Sequence, residues 1–216
     1  MAPHYAVGRH RRNRSRHLTC SSVTTRERIL AALQGPRFSL ADSMPSLPKR
    51  PGLYAIYGDR TAWRDLGLDR SSDDVALYIG KAEDSFVKRD LQSHFGDGRT
   101  GSSTVRRSFA ALLRTRLSLS GMPRNPARPA HFSNFGLSPS DDAKLTRWMR
   151  QRLQIAVWPK DAECRLADME TDLLRCLNPP LNIAKVRHAH RSFVQAQRKV
   201  MADQAQSWRP PAAPLN

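Results

Sequence analysis

Three short runs of β-branched and aromatic residues bound what this chain builds: residues 52–57 (Gly-Leu-Tyr-Ala-Ile-Tyr), 75–79 (Val-Ala-Leu-Tyr-Ile) and 154–158 (Gln-Ile-Ala-Val-Trp). Such runs suit pleated, half-buried strands. The first two are separated by the polar stretch 58–74, which predicts a long-looped hairpin. The periodic segments between and after them predict helices over about 25–33, 85–95, 103–117, 138–153, 164–177 and 184–206. Ser138-Pro139 reads as an N-cap with proline at the first helical position, and Asn178-Pro179-Pro180 as a helix stop. The expected fold is α/β (α+β), a small three-stranded antiparallel sheet flanked by helices.

At 216 residues the expected layout is one domain with tails. A domain of roughly 150 residues buries about two-thirds of its unfolded surface and needs no disulfide staples. The expected divisions are a disordered basic arm (1–24), a helix and linker (25–50), the main domain (51–183), a C-terminal helix (184–208) and a Pro-rich tail (209–216). Cys20, Cys164 and Cys176 are odd in number and form no Cys-x-x-Cys pair, which argues against a disulfide framework or a zinc knuckle. No stretch approaches the roughly 18 apolar residues of a membrane span. The expected location is the cytoplasm, of a bacterium and beside its nucleoid.

The formal charge of +17 is unevenly spread. Residues 1–50 carry 10 basic and 2 acidic side chains, 51–110 carry 9 and 9, 111–160 carry 9 and 2, and 161–216 carry 8 and 6. Two basic blocks on either side of a neutral segment suit a polyanionic partner.

The sharpest local clue lies in the helix expected over 164–177. With Leu166 at zero on a helical wheel, Met169, Leu173, Leu174 and Leu177 form one apolar stripe, and Glu170 falls inside it at about 40°. A carboxylate there must be paired, protonated or bound to a cation, because leaving it bare and buried costs several kcal/mol. An ion pair with a core arginine and a metal ligand are both open.

Pro51-Gly52-Leu53-Tyr54, then Leu77-Tyr78-Ile79-Gly80-Lys81-Ala82, then Arg89, His94, Glu170 and Asn182 together resemble the GIY-YIG nuclease family. The nuclease module of the bacterial excision-repair endonuclease is the most similar in motif, including a glutamate twelve residues before an asparagine, as Glu170 stands to Asn182. Two departures stand out. Tyr54 and Tyr78 are 24 residues apart, so the hairpin carries an insertion, and Arg89 and His94 are five apart where the family usually has four. Five residues turn a regular helix by about 140°, so the two do not share a face without a bulge.

The resemblance implies a metal-dependent endonuclease that hydrolyses DNA phosphodiester bonds. It implies that Glu170 binds one divalent ion, Mg²⁺ or Mn²⁺, that Arg89 stabilises the phosphate, and that Tyr54 or Tyr78 takes the proton from water, with Tyr54 preferred. His94 and Asn182 complete the implied catalytic set. Taken singly, the tyrosines also read as half-buried strand residues, His94 as a core histidine and Asn182 as a loop cap. Lys81 is a candidate nucleic-acid contact, and so are Arg106 and Arg107, which follow a Gly- and Ser-rich helix start. Arg147 and Arg150 beside Trp148 are candidates to track a nucleic-acid backbone, although Trp148 also fits a core. His188 and His190, two apart in a presumed helix, do not read as a zinc pair. Two other readings remain: a DNA-binding module of the same fold that does not cut, and a nuclease acting on RNA. Oligomeric state and substrate structure are not legible.

Overall fold

The strand β2 (Gly52–Gly58) is buried at every position. Its side chains alternate between two cores, Tyr54 and Ile56 in one and Leu53, Ala55 and Tyr57 in the other. A strand apolar on both faces must have helices on both sides, and this one does. The computed structural model describes residues 20–41, 47–69, 75–86, 92–96, 98–161 and 163–210. β2 pairs antiparallel with β3 (Tyr78–Ala82) on one side and with β4 (Leu153–Pro159) on the other. A two-residue strand, β1 (Phe38–Ser39), adds to β4 and completes the order β1-β4-β2-β3.

The helices α1 (Cys20–Gln34) and α6 (Leu166–Leu177) cover one face through Ile29, Leu33, Leu173 and Leu174. The other face packs against α2 (Arg60–Leu66), α4 (Thr104–Leu117), α5 (Pro139–Arg152) and α7 (Arg191–Ser207). The short α3 (Gln92–Phe95) contributes Phe95 to that second core. The caps follow local chemistry. Ser103 accepts from the Arg106 amide at 3.2 Å and Ser138 from the Asp141 amide at 3.2 Å. α6 ends on Asn178 at φ 45°, a left-handed residue that asparagine tolerates, and Pro179 forbids continuation.

Several expectations change. The sheet has four strands among the described residues, not three, because β1 joins from the linker. β3 begins at Tyr78, three residues later than the expected 75–79 run. The polar insertion read as loop contains α2, capped by Asp59 at its start and by Gly67 at φ 64°. Of the helix expected over 85–95, Gln92–Phe95 is helical, and residues 87–91 lie outside the described part. α7 starts at Arg191 rather than 184, since residues 184–190 are turns and irregular chain. His188 and His190 therefore do not share a helix; their rings lie 6.4 Å apart. Trp148 belongs to the core, its ring tilted against that of Phe109 with centroids 5.9 Å apart.

Candidate active site

β3 is an edge strand of the sheet, and its open backbone groups meet the chain that returns from α6. The Ile79 amide donates to Asn182 Oδ1 at 2.9 Å, and Asn182 Nδ2 donates to the Ile79 carbonyl at 2.8 Å. The Leu181 amide donates to the Leu77 carbonyl at 3.0 Å. Asn182 thus closes the sheet edge with both ends of its amide. Beside it lies a cavity of about 200 Å³ lined by Tyr78, Thr104, Glu170, Asn182 and Lys185 among others.

The rings of Tyr54, Tyr78 and His94 form a triangle, with centroids 6.2 Å apart for Tyr54–Tyr78, 6.2 Å for Tyr54–His94 and 6.4 Å for Tyr78–His94. Tyr54 lies opposite Gly80 in the β2–β3 register and is 1% exposed, whereas Tyr78 is half-buried and opens on the cavity. His94 Nδ1 lies 2.7 Å from Ser103 Oγ. Burial first, and the Arg106 charge second, push its pKa down to about 4, so the imidazole is neutral near pH 7.

Glu170 is 5% exposed, and its Oε2 accepts from Lys185 Nζ at 2.6 Å. Its position on the apolar face of α6 is therefore balanced by a lysine from the following turn, not by a core arginine. Among the described residues no group of three or more His, Cys, Asp and Glu could hold a metal ion. Among the described residues Glu170 is the one carboxylate lining the cavity. That donor set suits a magnesium-type ion, which keeps several waters and takes one or two carboxylates plus a substrate phosphate.

The structure does not gather every candidate. Arg89 lies outside the described residues. Lys81 points to the face of β3 opposite Tyr78 and Gly80, because strand side chains alternate, and it pairs with Glu83. Arg106 is a correction: its side chain is 0% exposed and cannot reach a phosphate. Its Nη2 meets Asp142 Oδ2 at 2.8 Å and Thr146 Oγ1 at 2.9 Å, and its Nη1 donates to the His94 carbonyl at 3.3 Å. Arg107 is buried next to it, bonded to the Gly101 carbonyl at 2.8 Å and to Thr104 Oγ1 at 3.2 Å. Arg147 and Arg150 project from the exposed side of α5.

Two residues around the site escaped the sequence. Asp142, 2% exposed, accepts from Arg106, the Gly98 amide and the Thr100 hydroxyl, so it ties the loop after α3 to α4. Its sequence signal, an acid in the first turn of a helix, is indistinguishable from a dipole partner. Lys185 reads in sequence as part of a solvated basic face, and only the turn after Asn182 brings it to Glu170.

A family model described as the GIY-YIG catalytic domain matches residues 65–200, more than half of the chain. No curated protein and no solved structure matches the chain significantly.

Proposed function

Because the chain belongs to the GIY-YIG catalytic-domain family, we propose that it is a metal-dependent endonuclease hydrolysing DNA phosphodiester bonds. Nucleases of this family generally use divalent metal ions and act on nucleic acids. The observation that carries the reading is one juxtaposition: Tyr78, Glu170 and Asn182, up to 104 residues apart in the chain, line one cavity.

The roles follow from the surroundings of each group. Tyr78 opens on the cavity and takes the proton of the attacking water; Tyr54, almost wholly enclosed, holds the Tyr78 and His94 rings in place. The choice of ring thus moves from Tyr54 to Tyr78 on exposure alone. A tyrosine near its reference pKa of about 10 is a poor base until positive charge is nearby. A divalent ion, when bound, supplies that charge and polarises the phosphoryl oxygens. Glu170 is the residue that would hold it, releasing Lys185 to face the phosphate. His94, neutral, serves as a hydrogen-bonding group whose orientation Ser103 fixes. Arg89 takes the role of phosphate stabiliser on the motif alone.

The Lys185–Glu170 pair favours a second reading, a nucleic-acid-binding module in which the lysine has taken the place of the ion. Incubation of the purified protein with supercoiled plasmid, branched DNA and RNA, with and without Mg²⁺, separates the two. Mg²⁺-dependent cutting of DNA supports the nuclease. Binding without cutting on every substrate supports the module, and cutting confined to RNA corrects the substrate. A repair role, by likeness to the excision-repair branch, and a restriction role are both compatible with this site.

A further inference from the structure

Arg106 and Arg107 are neighbours on α4 in opposite electrostatic situations. Arg106 is neutralised by Asp142. Arg107, 7% exposed, bonds only neutral acceptors, the Gly101 carbonyl and Thr104 Oγ1, and its buried Nε has no hydrogen-bond partner. Among the described residues no carboxylate pairs with Arg107, Arg124 or Arg198. Arg107 and Arg124 meet at Gly101, and Arg198 comes from α7, which packs against α4. The stem of Arg124 lies across Gly101, where an added Cβ would stand 2.6 Å from Arg124 Cγ. The charges of Arg198 and Arg124 both act on Arg107 and, after burial, push its pKa down to about 10. Arg198 itself is held below its usual range by burial.

A buried guanidinium without a counter-charge, crowded by two more, is an unfavourable arrangement for the protein alone. It becomes favourable once an oxyanion sits among them, because guanidinium groups match phosphate oxygens in pairs. A cavity of about 410 Å³ opens on the Gly98–Ser102 loop, with Arg99, Arg124 and the Arg106-paired Asp142 in its wall, and Arg107 lies behind that wall, bonded to the Gly101 carbonyl. The cluster also adjoins the catalytic cavity, since Thr104, which accepts from Arg107, lines that cavity with Tyr78 and Glu170.

We propose that Arg107, Arg124 and Arg198 form a phosphate site that grips the nucleic-acid backbone beside the phosphodiester to be cut. The proposal rests on the nuclease reading for its ligand, but not for its geometry. Arg124 and Arg198 are not among the motif residues that carry the family resemblance.

The test is made in EDTA, which withholds divalent ions, on the 216-residue chain carrying Arg124→Gln, Arg198→Gln or both, with Arg107→Gln added where it folds. Binding of a short duplex is followed by fluorescence anisotropy across salt, and melting is followed with inorganic phosphate. Each single change is expected to weaken binding about five- to tenfold at low salt and to lower the log–log salt slope by about 0.9. Phosphate is expected to raise the melting temperature of the wild type and not of the double variant. Without anions, Arg198→Gln is expected to melt higher than wild type, because repulsion is relieved; a purely structural arginine would melt lower. Wild-type salt slopes and an undiminished phosphate response in the double variant would overturn the site. A lost phosphate response with unchanged duplex binding would overturn its assignment to nucleic acid. Duplex binding through the cluster by a protein that never cuts would leave the site standing and remove only the nuclease reading.

Discussion

Tyr54 occupies the space that a side chain on Gly80 would need. The two are register partners across β2 and β3, and a Cβ on Gly80 would come within 2.9 Å of Tyr54 Cε1 and closer still to its Cζ and Oη. Tyr54 is 1% exposed and has nowhere to retreat. The glycine of the second motif is therefore a seat for the tyrosine of the first.

Gly80→Ala should destabilise the fold by about 1–3 kcal/mol, the usual cost of overpacking. Adding Tyr54→Ala should make the pair strongly non-additive, since the clash is then gone. Urea titrations of the two single variants and the double variant check this; additive effects would mean that Gly80 and Tyr54 do not compete for space.

The two tyrosines should separate kinetically. Tyr78→Phe should lower single-turnover cleavage by roughly 10²- to 10⁴-fold, the usual worth of a positioned base. Tyr54→Phe should cost less, and neither should change stability by more than about 1 kcal/mol unless a buried partner is left unpaired. Rates measured from pH 6 to 10 in Mg²⁺ decide it; a larger loss for Tyr54→Phe would return the base to the first motif.

His94 should leave a mark on the pH dependence of stability. Its folded pKa is pushed down to about 4 from 6.5, mainly by burial and then by Arg106. Between those values the unfolded chain takes up a proton that the folded chain refuses, so stability is full above 6.5 and declines as pH falls toward 4. The denaturation midpoint of the wild type should drop over that window more than that of His94→Gln. Equal drops would show that the imidazole is not desolvated.

Lys185 and the metal should compete for Glu170. The lysine side chain is 48% exposed, so the pair is worth only about 1 kcal/mol despite the buried carboxylate. Lys185→Met should therefore bind Mn²⁺ about fivefold more tightly, read by calorimetry or by the spin resonance of free Mn²⁺. Unchanged affinity would place the ion elsewhere.

Legibility followed the range of the interactions. Ser138-Pro139 and Asn178-Pro179 mark helix ends by contacts within a few residues, and the structure has those ends where the sequence puts them. The helix α2 is not legible because its buried face is only Ala62, Trp63 and Leu66 inside a polar insertion, although Asp59 and Gly67 flank it as caps. β1 is too short to show a period. Arg106 and Arg107 look alike in sequence, and their fates part only through Asp142, 36 residues beyond Arg106. The site residues came from family resemblance, not from periodicity. Glu170 alone was marked by the physics of the chain, as an acid on an apolar stripe, and its lysine partner depends on a turn that no local pattern announces.

The central claim, that Glu170 serves the chemistry of the Tyr78 cavity, is tested most directly by single-turnover cleavage of plasmid DNA in Mg²⁺ by Glu170→Ala beside wild type. The expected result is loss of cleavage by the variant, with its fold retained and its DNA binding equal or slightly stronger for the removal of a negative charge. Cleavage by Glu170→Ala at the wild-type rate would contradict it.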